Sequence, residues 1–341
     1  MHRNELDERD LQLLHALQIA PRASWTDVAR ILGGTRATLV ARWERMRSAG
    51  LAWVSAQPGN AYRDVTLALV EVDCLPGTRP GVVRALCEDA RVVTVEESTR
   101  GRDLLLTVIT RDLPALTAFL FDALECLPGV ARQRSHVATA VHRHGSHWRL
   151  DALDPVQVAA FERLASTTSR AASGALPFDA WPLIEALAQD GRATAADLAR
   201  ATGRNPATVR RQLSRLLGSG LVSFRCELAA EVSGWSVSST WTARVEPAGH
   251  DRAVTALATL PELRMCVSTT GETNLAMTVW TRTVAEILHI ERLFGARLPE
   301  LQVRENAINL RTPKRMGWML DSTGRATGAL VVPAALRPLA M

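Results

Sequence analysis

Apolar positions recur at helical spacing near the start of the chain, and the same arrangement returns well past its middle. Leu13, Leu14 and Leu17 form one stripe. Leu39, Trp43 and Met46 stand four and three residues apart, as do Val209, Leu213 and Leu216, so each set predicts the buried face of one amphipathic helix. Helix starts are marked by side chains able to hold free backbone N–H groups. Asp7 with Asp10, Ser24 with Asp27 and Thr194 with Asp197 read as capping boxes, and Leu6 and Leu11 can close a staple across the first turn. Gly33 and Gly203 supply tight turns, after which third helices begin at Thr35 and at Asn205, where Pro206 occupies the first helical position.

The pattern then changes period. Val65 to Val72 alternates as a strand does, and Pro76-Gly77 leads into a helical stretch through Leu86. Val92 to Val95, a turn at Gly101, Leu104 to Ile109, a helix from Leu113 to Leu124 and Val137 to Val141 complete the series. The order β-α-β-β-α-β is ferredoxin-like, and Val237 to Val245 through Leu310 repeats it.

Shifting the chain by 170 residues makes the repeat explicit. Ala16-Leu17 falls on Ala186-Leu187, Arg22-Ala23 on Arg192-Ala193, Ala29-Arg30 on Ala199-Arg200 and Gly50-Leu51 on Gly220-Leu221. At a shift of 170 or 171, Thr99 and Gly101 fall on Thr269 and Gly271, and Thr107-Val108 falls on Thr278-Val279. The predicted fold class is therefore α+β, with two copies of a winged helix-turn-helix domain followed by a ferredoxin-like βαββαβ domain. The boundaries are expected at 1–56 and 62–145 for copy one, and at 176–230 and 235–315 for copy two. A connecting segment and linker spans 146–175, where the small, polar run from Ser166 to Ala175 lies, and 316–341 forms a C-terminal tail.

Length and composition fit this picture. A chain of 341 residues with 47% hydrophobic and 22% charged content is a globular protein of several domains. Lys314 is the only lysine among 40 basic residues, the rest being arginine, and the net charge is +5. Most of that bias reads as genomic composition, but arginine suits phosphate and guanine wherever the fold presents it. Five scattered cysteines, a charged N-terminus and no long apolar run point to a reduced, cytoplasmic protein that does not enter a membrane.

The third helices carry the candidate chemistry. Opposite the apolar stripes stand Thr38, Ala41 and Arg45 in copy one and Thr208, Arg211 and Arg215 in copy two. Thr35, Arg36 and Arg42 flank the first set, and Arg204, Asn205 and Arg210 the second. A Gly turn before a helix with outward Arg and Thr is the helix-turn-helix pattern, in which the helix start approaches phosphates and side chains reach base edges. The competing reading is a solvated charged face, and the recurrence of the pattern at one offset weighs against it.

Leu6 to Leu51, with the core DVARILGGTRATLVARWERMRSAGL, resembles the helix-turn-helix of the Lrp/AsnC (leucine-responsive) regulators, and DLARATGRNPATVRRQLSRLLGSGL looks like a second example. The resemblance implies double-stranded DNA as partner, with Ala52–Ala56 and Val222–Leu228 as the short strands that follow. It also implies that each βαββαβ domain is a sensor that dimerises and binds a small molecule, an amino acid or another metabolite. In that family a Thr/Gly-x-x-Asp turn between the second and third strands lines the ligand pocket. Here the corresponding turns contain Thr99, Gly101 and Asp103, and Thr270, Gly271, Thr273 and Asn274. Copy two keeps the spacing with Asn for Asp, whereas copy one is a residue short between Gly and Asp, so plain hairpins are the alternative. Exposed sheets of such domains need covering, and the two sensors are expected to pair with each other or with a second chain, as homodimer or larger homo-oligomer.

No catalytic, cofactor or metal motif accompanies these features. His142, His144 and His147 cluster, but at a spacing of no known metal site, and neither a phosphate loop nor a nucleophile elbow is present. The expectation is a ligand-modulated transcriptional regulator rather than an enzyme. The alternatives are a DNA-architectural protein, a regulator in which only copy two reads DNA, and an enzyme like the sirohaem decarboxylases, which share this architecture and for which His136 and His289 would be the candidates.

Overall fold

The structure is a computed structural model, and it describes residues 6–58, 65–99, 101–166 and 180–336. In chain order, copy one runs α1 (Glu8–Ile19), α2 (Trp25–Leu32), α3 (Arg36–Ser48), β1 (Ala52–Pro58), β2 (Thr66–Cys74), α4 (Arg79–Glu88), β3 (Val92–Ser98), β4 (Leu104–Thr110), α5 (Leu113–Thr117) and β5 (Val130–Arg143). α6 (Pro155–Ser166) leads to α7 (Trp181–Gln189), α8 (Ala195–Thr202), α9 (Pro206–Ser219), β6 (Val222–Leu228) and the short α10 (Ala230–Ser233). β7 (Val237–Arg244), α11 (His250–Leu257), β8 (Leu263–Thr269), β9 (Leu275–Thr281), α12 (Ala285–Arg297), β10 (Gln302–Arg315), β11 (Trp318–Leu320) and β12 (Ala326–Leu330) follow. The chain divides into two compact units. One gathers Met1–Asp64, Arg149–Val232 and Arg325–Met341, the other Val65–Trp148 and Ser233–Gly324.

The first unit holds both sets of three helices. Asp7 caps α1 and exchanges bonds with Asp10, Thr194 does the same with Asp197 at α8, and Thr35 and Asn205 cap α3 and α9. Leu39, Trp43 and Met46 are buried, as are Val209, Leu213 and Leu216, because each third helix turns its apolar stripe onto the two helices before it. β1 and β6 pair antiparallel, Ala52 opposite Leu228 and Pro58 opposite Val222. Each copy thus contributes one strand to a shared ribbon, and Ala56 of β1 is buried in the copy-two core.

Two expectations change here. The connecting segment 146–175 contains α6, whose Phe161 is fully buried and which packs on α1. The run from Ser166 to Ala175 lies, apart from Ser166, outside the described residues. The stretch 316–341 is not a plain tail, since it carries β11 and β12. Ala326 donates its N–H to the Gly50 carbonyl at 2.9 Å, and Gln189 reaches the Gly328 carbonyl.

The second unit holds both βαββαβ series. Its eight long strands close on themselves in the order β10-β3-β4-β2-β5-β8-β9-β7, with β7 returning to β10. The sheet edges that the sequence left open are consumed by β5–β8 and β3–β10 pairing within the chain. Helices cover each half. Val70, Val82, Leu106 and Phe119 fill the copy-one core, and Trp241, Leu257, Met277 and Phe294 the copy-two core. The predicted helix over 113–124 continues beyond α5 as a π-helix, Ala118–Leu124. β5 and β10 are each 14 residues long because every one of them reaches from its own copy to the other.

The lone lysine has a structural place. Lys314 is buried on β10 and donates to the Asp89 carbonyl at the end of α4, at 2.8 Å. A cation there offsets the helix's negative end, and burial brings its pKa down to about 8. Cys74, Cys87 and Cys266 have thiols pushed up to about 11, 11 and 12 by burial, so they are inert packing residues. Among the described residues no helix is long and apolar enough to cross a membrane.

Candidate functional site

The two third helices differ in what their arginines do. On α3, Arg36, Thr35 and Thr38 are exposed at the helix start. Arg42 turns back to α1, its Nη1 lying 2.7 Å from Asp7 Oδ2 and 2.8 Å from Asp10 Oδ1, and Arg45 pairs with the second oxygen of Asp10. Asp10 is 1% exposed, and the Arg42 hydrogen bond holds the Asp7 carboxyl below its usual range. On α9, Arg210, Arg211 and Arg215 are exposed, while Arg204 bonds to Gln212 and Asn205 is occupied in capping. Thr208 is half-buried. The sequence pattern puts both arginine sets on the third helices, with only Arg45 and Arg215 in equivalent positions, and it does not reveal the acids that hold one of the sets.

A second pair of arginines ties the two helix-turn-helix elements together. Arg22 donates to the Gly191 and Ala193 carbonyls, and Arg192 donates to those of Pro21 and Ala23. These are the same turns of the repeat, so the exchange is reciprocal, as at a two-fold interface. Arg192 also stacks on Trp25 at 4.0 Å and Arg22 on Phe224 at 5.0 Å. Burial, followed by the neighbouring Arg22 charge, lowers the Arg192 pKa to about 10. Hydrophobic patterning could not have found this contact, although the Arg-Ala match at one offset marks both residues.

The predicted ligand turns are reciprocal too. Thr99 donates its N–H to the Ile308 carbonyl and accepts from Ile308 N–H, both at 2.9 Å. Thr270 makes the same two bonds to Val137, at 2.9 and 3.2 Å. Asp103 accepts from the Cys74 N–H at 2.7 Å, and Asn274 from the Val245 N–H at 2.9 Å, each pinning the hairpin to the end of its own first strand. Thr to Asp/Asn spacing is therefore identical in the two copies. Only the glycine is displaced, which accounts for the residue that seemed missing in copy one. A side chain at Gly101 would collide with Glu305, and Gly271 lies against His136, while the Thr273 carbonyl accepts from Thr269 Oγ1.

Beside the copy-one turn lies a charge cluster that motif reading missed. Arg102, with its side chain 1% exposed, donates through Nη1 to Glu71 at 2.9 Å and to Glu305 at 3.2 Å. Arg134 reaches Glu71, Asp73 and the Gly101 carbonyl. Arg102 Nε and Nη2 have no partner among the described residues. The histidines predicted as a cluster separate. His142 bonds to Ser268 Oγ at 2.6 Å, and Ser268 also meets His250 at 2.9 Å, while His144 and His147 stack on each other. His136 lies 3.9 Å from Glu71, and His289 is exposed on α12. Among the described residues no group of three or more potential ligands is arranged to hold a metal.

Comparison with known proteins agrees with this geometry. Residues 6–47 match the model of the AsnC-type helix-turn-helix domain, 67–146 that of the Lrp/AsnC ligand binding domain, and 183–223 that of a winged helix-turn-helix DNA-binding domain. An HTH-type transcriptional regulator of Pyrococcus furiosus is 29% identical over 142 residues, which span 96% of that protein and 41% of this chain. The Bkd operon transcriptional regulator of Pseudomonas aeruginosa is 28% identical over 139 residues, spanning 91% of it and 39% of this chain. Such relatives have the length of one copy. Among solved structures, the sirohaem decarboxylase NirDL in complex with an iron-uroporphyrin III analogue shares the fold, with a TM-score of 0.57 and 12% identity over 87% of this chain and 92% of that one. With an AsnC-type helix-turn-helix domain and an Lrp/AsnC ligand binding domain on a single chain, and relatives that are transcriptional regulators, the protein is a DNA-binding transcriptional regulator.

Proposed function

We propose that the chain is a tandem regulator, two Lrp/AsnC units fused so that the pairing of a dimer is made within one polypeptide, and that it selects particular DNA sequences under the control of a small molecule. The observation that carries this reading is the reciprocity of the repeat. Arg22 and Arg192 exchange carbonyl bonds in one unit, and Thr99 and Thr270 exchange theirs in the other. Contacts of that kind between equivalent residues are those of a two-fold dimer made within one chain. A small molecule bound at the turns would bear on the seams β3–β10 and β5–β8, and the buried Arg102 with two unmet N–H groups favours an effector carrying a carboxylate. With its sheet edges used internally, further self-association would fall to the helix faces, where Leu113, Phe121, Val284 and Leu288 are exposed.

The test is retention of DNA from upstream of its own gene in the presence of non-specific competitor, as salt is raised. Selective retention is expected, with log K falling against log salt at a slope of about −3 or steeper for three phosphate-facing arginines. Retention no better than that of any other duplex would remove the reading. A second reading rests on the fold shared with the sirohaem decarboxylase. It requires the chain to bind a tetrapyrrole, and a colourless preparation that leaves the visible spectrum of added iron-uroporphyrin unchanged would dispose of it.

A further inference from the structure

We infer that DNA is read by α9 of copy two alone, and that α3 of copy one is a scaffold whose arginines are committed to α1. The inference rests on the DNA-binding reading above and adds which surface does the binding. Shifting by 170 residues sets Asp7 on Pro177, Asp10 on Ala180, Arg42 on Gln212 and Glu44 on Ser214, while Arg45 keeps its counterpart in Arg215. Copy two has therefore lost both acids that hold the copy-one arginines, and one of the arginines with them. What remains is released into solvent.

The charge balance follows from the pairs. α3 carries four arginines, but Arg42 and Arg45 are bound by Asp7 and Asp10, and Arg47 by Glu44 at 2.7 Å. One arginine, Arg36, is left to meet a phosphate. α9 carries Arg210, Arg211 and Arg215 with no acidic residue anywhere in Pro206–Ser219, and all three are exposed. Arg211 and Arg215 stand one turn apart on the face opposite Val209, Leu213 and Leu216, so both can address one groove. Recruiting Arg42 or Arg45 to DNA would strip partners from Asp10 and strand a carboxylate that is 1% exposed. A phosphate contact does not compensate for that.

It follows that one chain recognises a single half-site. Its preferred element is not a palindrome, although the two helix-turn-helix elements are related by a pseudo-two-fold exchange.

The probe is a duplex enriched from a random pool by the full wild-type chain, and binding is followed by anisotropy over a range of salt. Arg211→Glu with Arg215→Glu is expected to weaken binding on the order of 100-fold or more and to reduce the salt slope by about two. Arg36→Glu is expected to cost less than about fivefold. The exposed positions make both variants compatible with folding, which circular dichroism verifies. Equal losses in the Arg36 variant and the double variant would overturn the inference, as would enrichment of palindromes with two protected half-sites per chain. If the wild-type chain enriches no sequence, the DNA-binding reading itself falls and takes this inference with it.

Discussion

Replacing Arg192 by methionine is expected to destabilise the helix-turn-helix unit by about 3 kcal/mol. The change removes two charge-assisted bonds, to the Pro21 and Ala23 carbonyls, each contributing roughly 1.5–3 kcal/mol. It also removes the stacking on Trp25 at 4.0 Å, which adds on the order of 1 kcal/mol. Against this, the variant relieves the burial of a cation whose pKa is held at about 10 by desolvation and by Arg22. The balance stays unfavourable because the half-buried Pro21 and Ala23 carbonyls both lose their charged donor. Arg192→Lys should recover little, since an ammonium cannot donate to two carbonyls in the planar fork that the guanidinium provides. Urea unfolding of the full chain, followed by tryptophan fluorescence, measures the effect. A change below about 0.5 kcal/mol would mean that the reciprocal exchange is a coincidence of packing. A functional consequence accompanies the loss of stability. The exchange joins the β1–β6 ribbon in linking the two helix-turn-helix elements, so its removal loosens the orientation of α9 and should weaken DNA binding without touching any DNA-facing residue.

What could be read in advance follows the range of the interaction. The stripes Leu39-Trp43-Met46 and Val209-Leu213-Leu216 were legible because helical burial is written in residues three and four apart. Caps at Asp7, Thr194 and Asn205 were legible for the same reason. The role of Arg42 was not, because a helical wheel gives the direction of a side chain but not its partner, and Asp10 lies 32 residues away. α6 was hidden by context rather than by pattern. Phe161 sits in an amphipathic run, but the run falls between two obvious repeats and was read as a connection. The turns at Thr99 and Thr270 illustrate a different limit. Matching the glycines put one copy out of register, whereas the carboxamide and carboxylate of Asn274 and Asp103, which do the anchoring, are in register. Residues that make defined hydrogen bonds are better markers of equivalence in a turn than the glycine that lets the chain bend. The buried cluster of Glu71, Arg102, Arg134 and Glu305 was invisible for the reason that hid Asp10, as it joins four strands or turns from both copies.

The second large effect is expected in acid. His15 of α1 is buried, and its Nδ1 accepts the N–H groups of Ala152 and Leu153, each at 3.2 Å, while Gln18 on the next turn accepts from Leu150. These bonds hold the segment that leads into α6, and they require a neutral, unprotonated Nδ1. Burial is the main cause that brings the His15 pKa down to about 4, with the Arg149 charge adding to it and Asp151 opposing it. In the unfolded chain the imidazole titrates near 6.5. Between the two values the unfolded state binds a proton that the folded state does not, so stability falls as pH drops. The contribution is complete above about pH 6.5 and is lost progressively as pH falls toward about 4, amounting at most to about 3 kcal/mol. Below that range both states are protonated and the dependence on this group ends. His15→Asn, which keeps an acceptor of similar reach but cannot titrate, should be less stable at neutral pH through imperfect geometry. Its unfolding free energy should nevertheless lose up to about 1.4 kcal/mol less per pH unit than that of the wild-type chain across this window. Denaturation series at successive pH values on both proteins measure the difference in slope. Parallel slopes would show that His15 is already protonated in the folded protein and that Ala152 and Leu153 are held by something else.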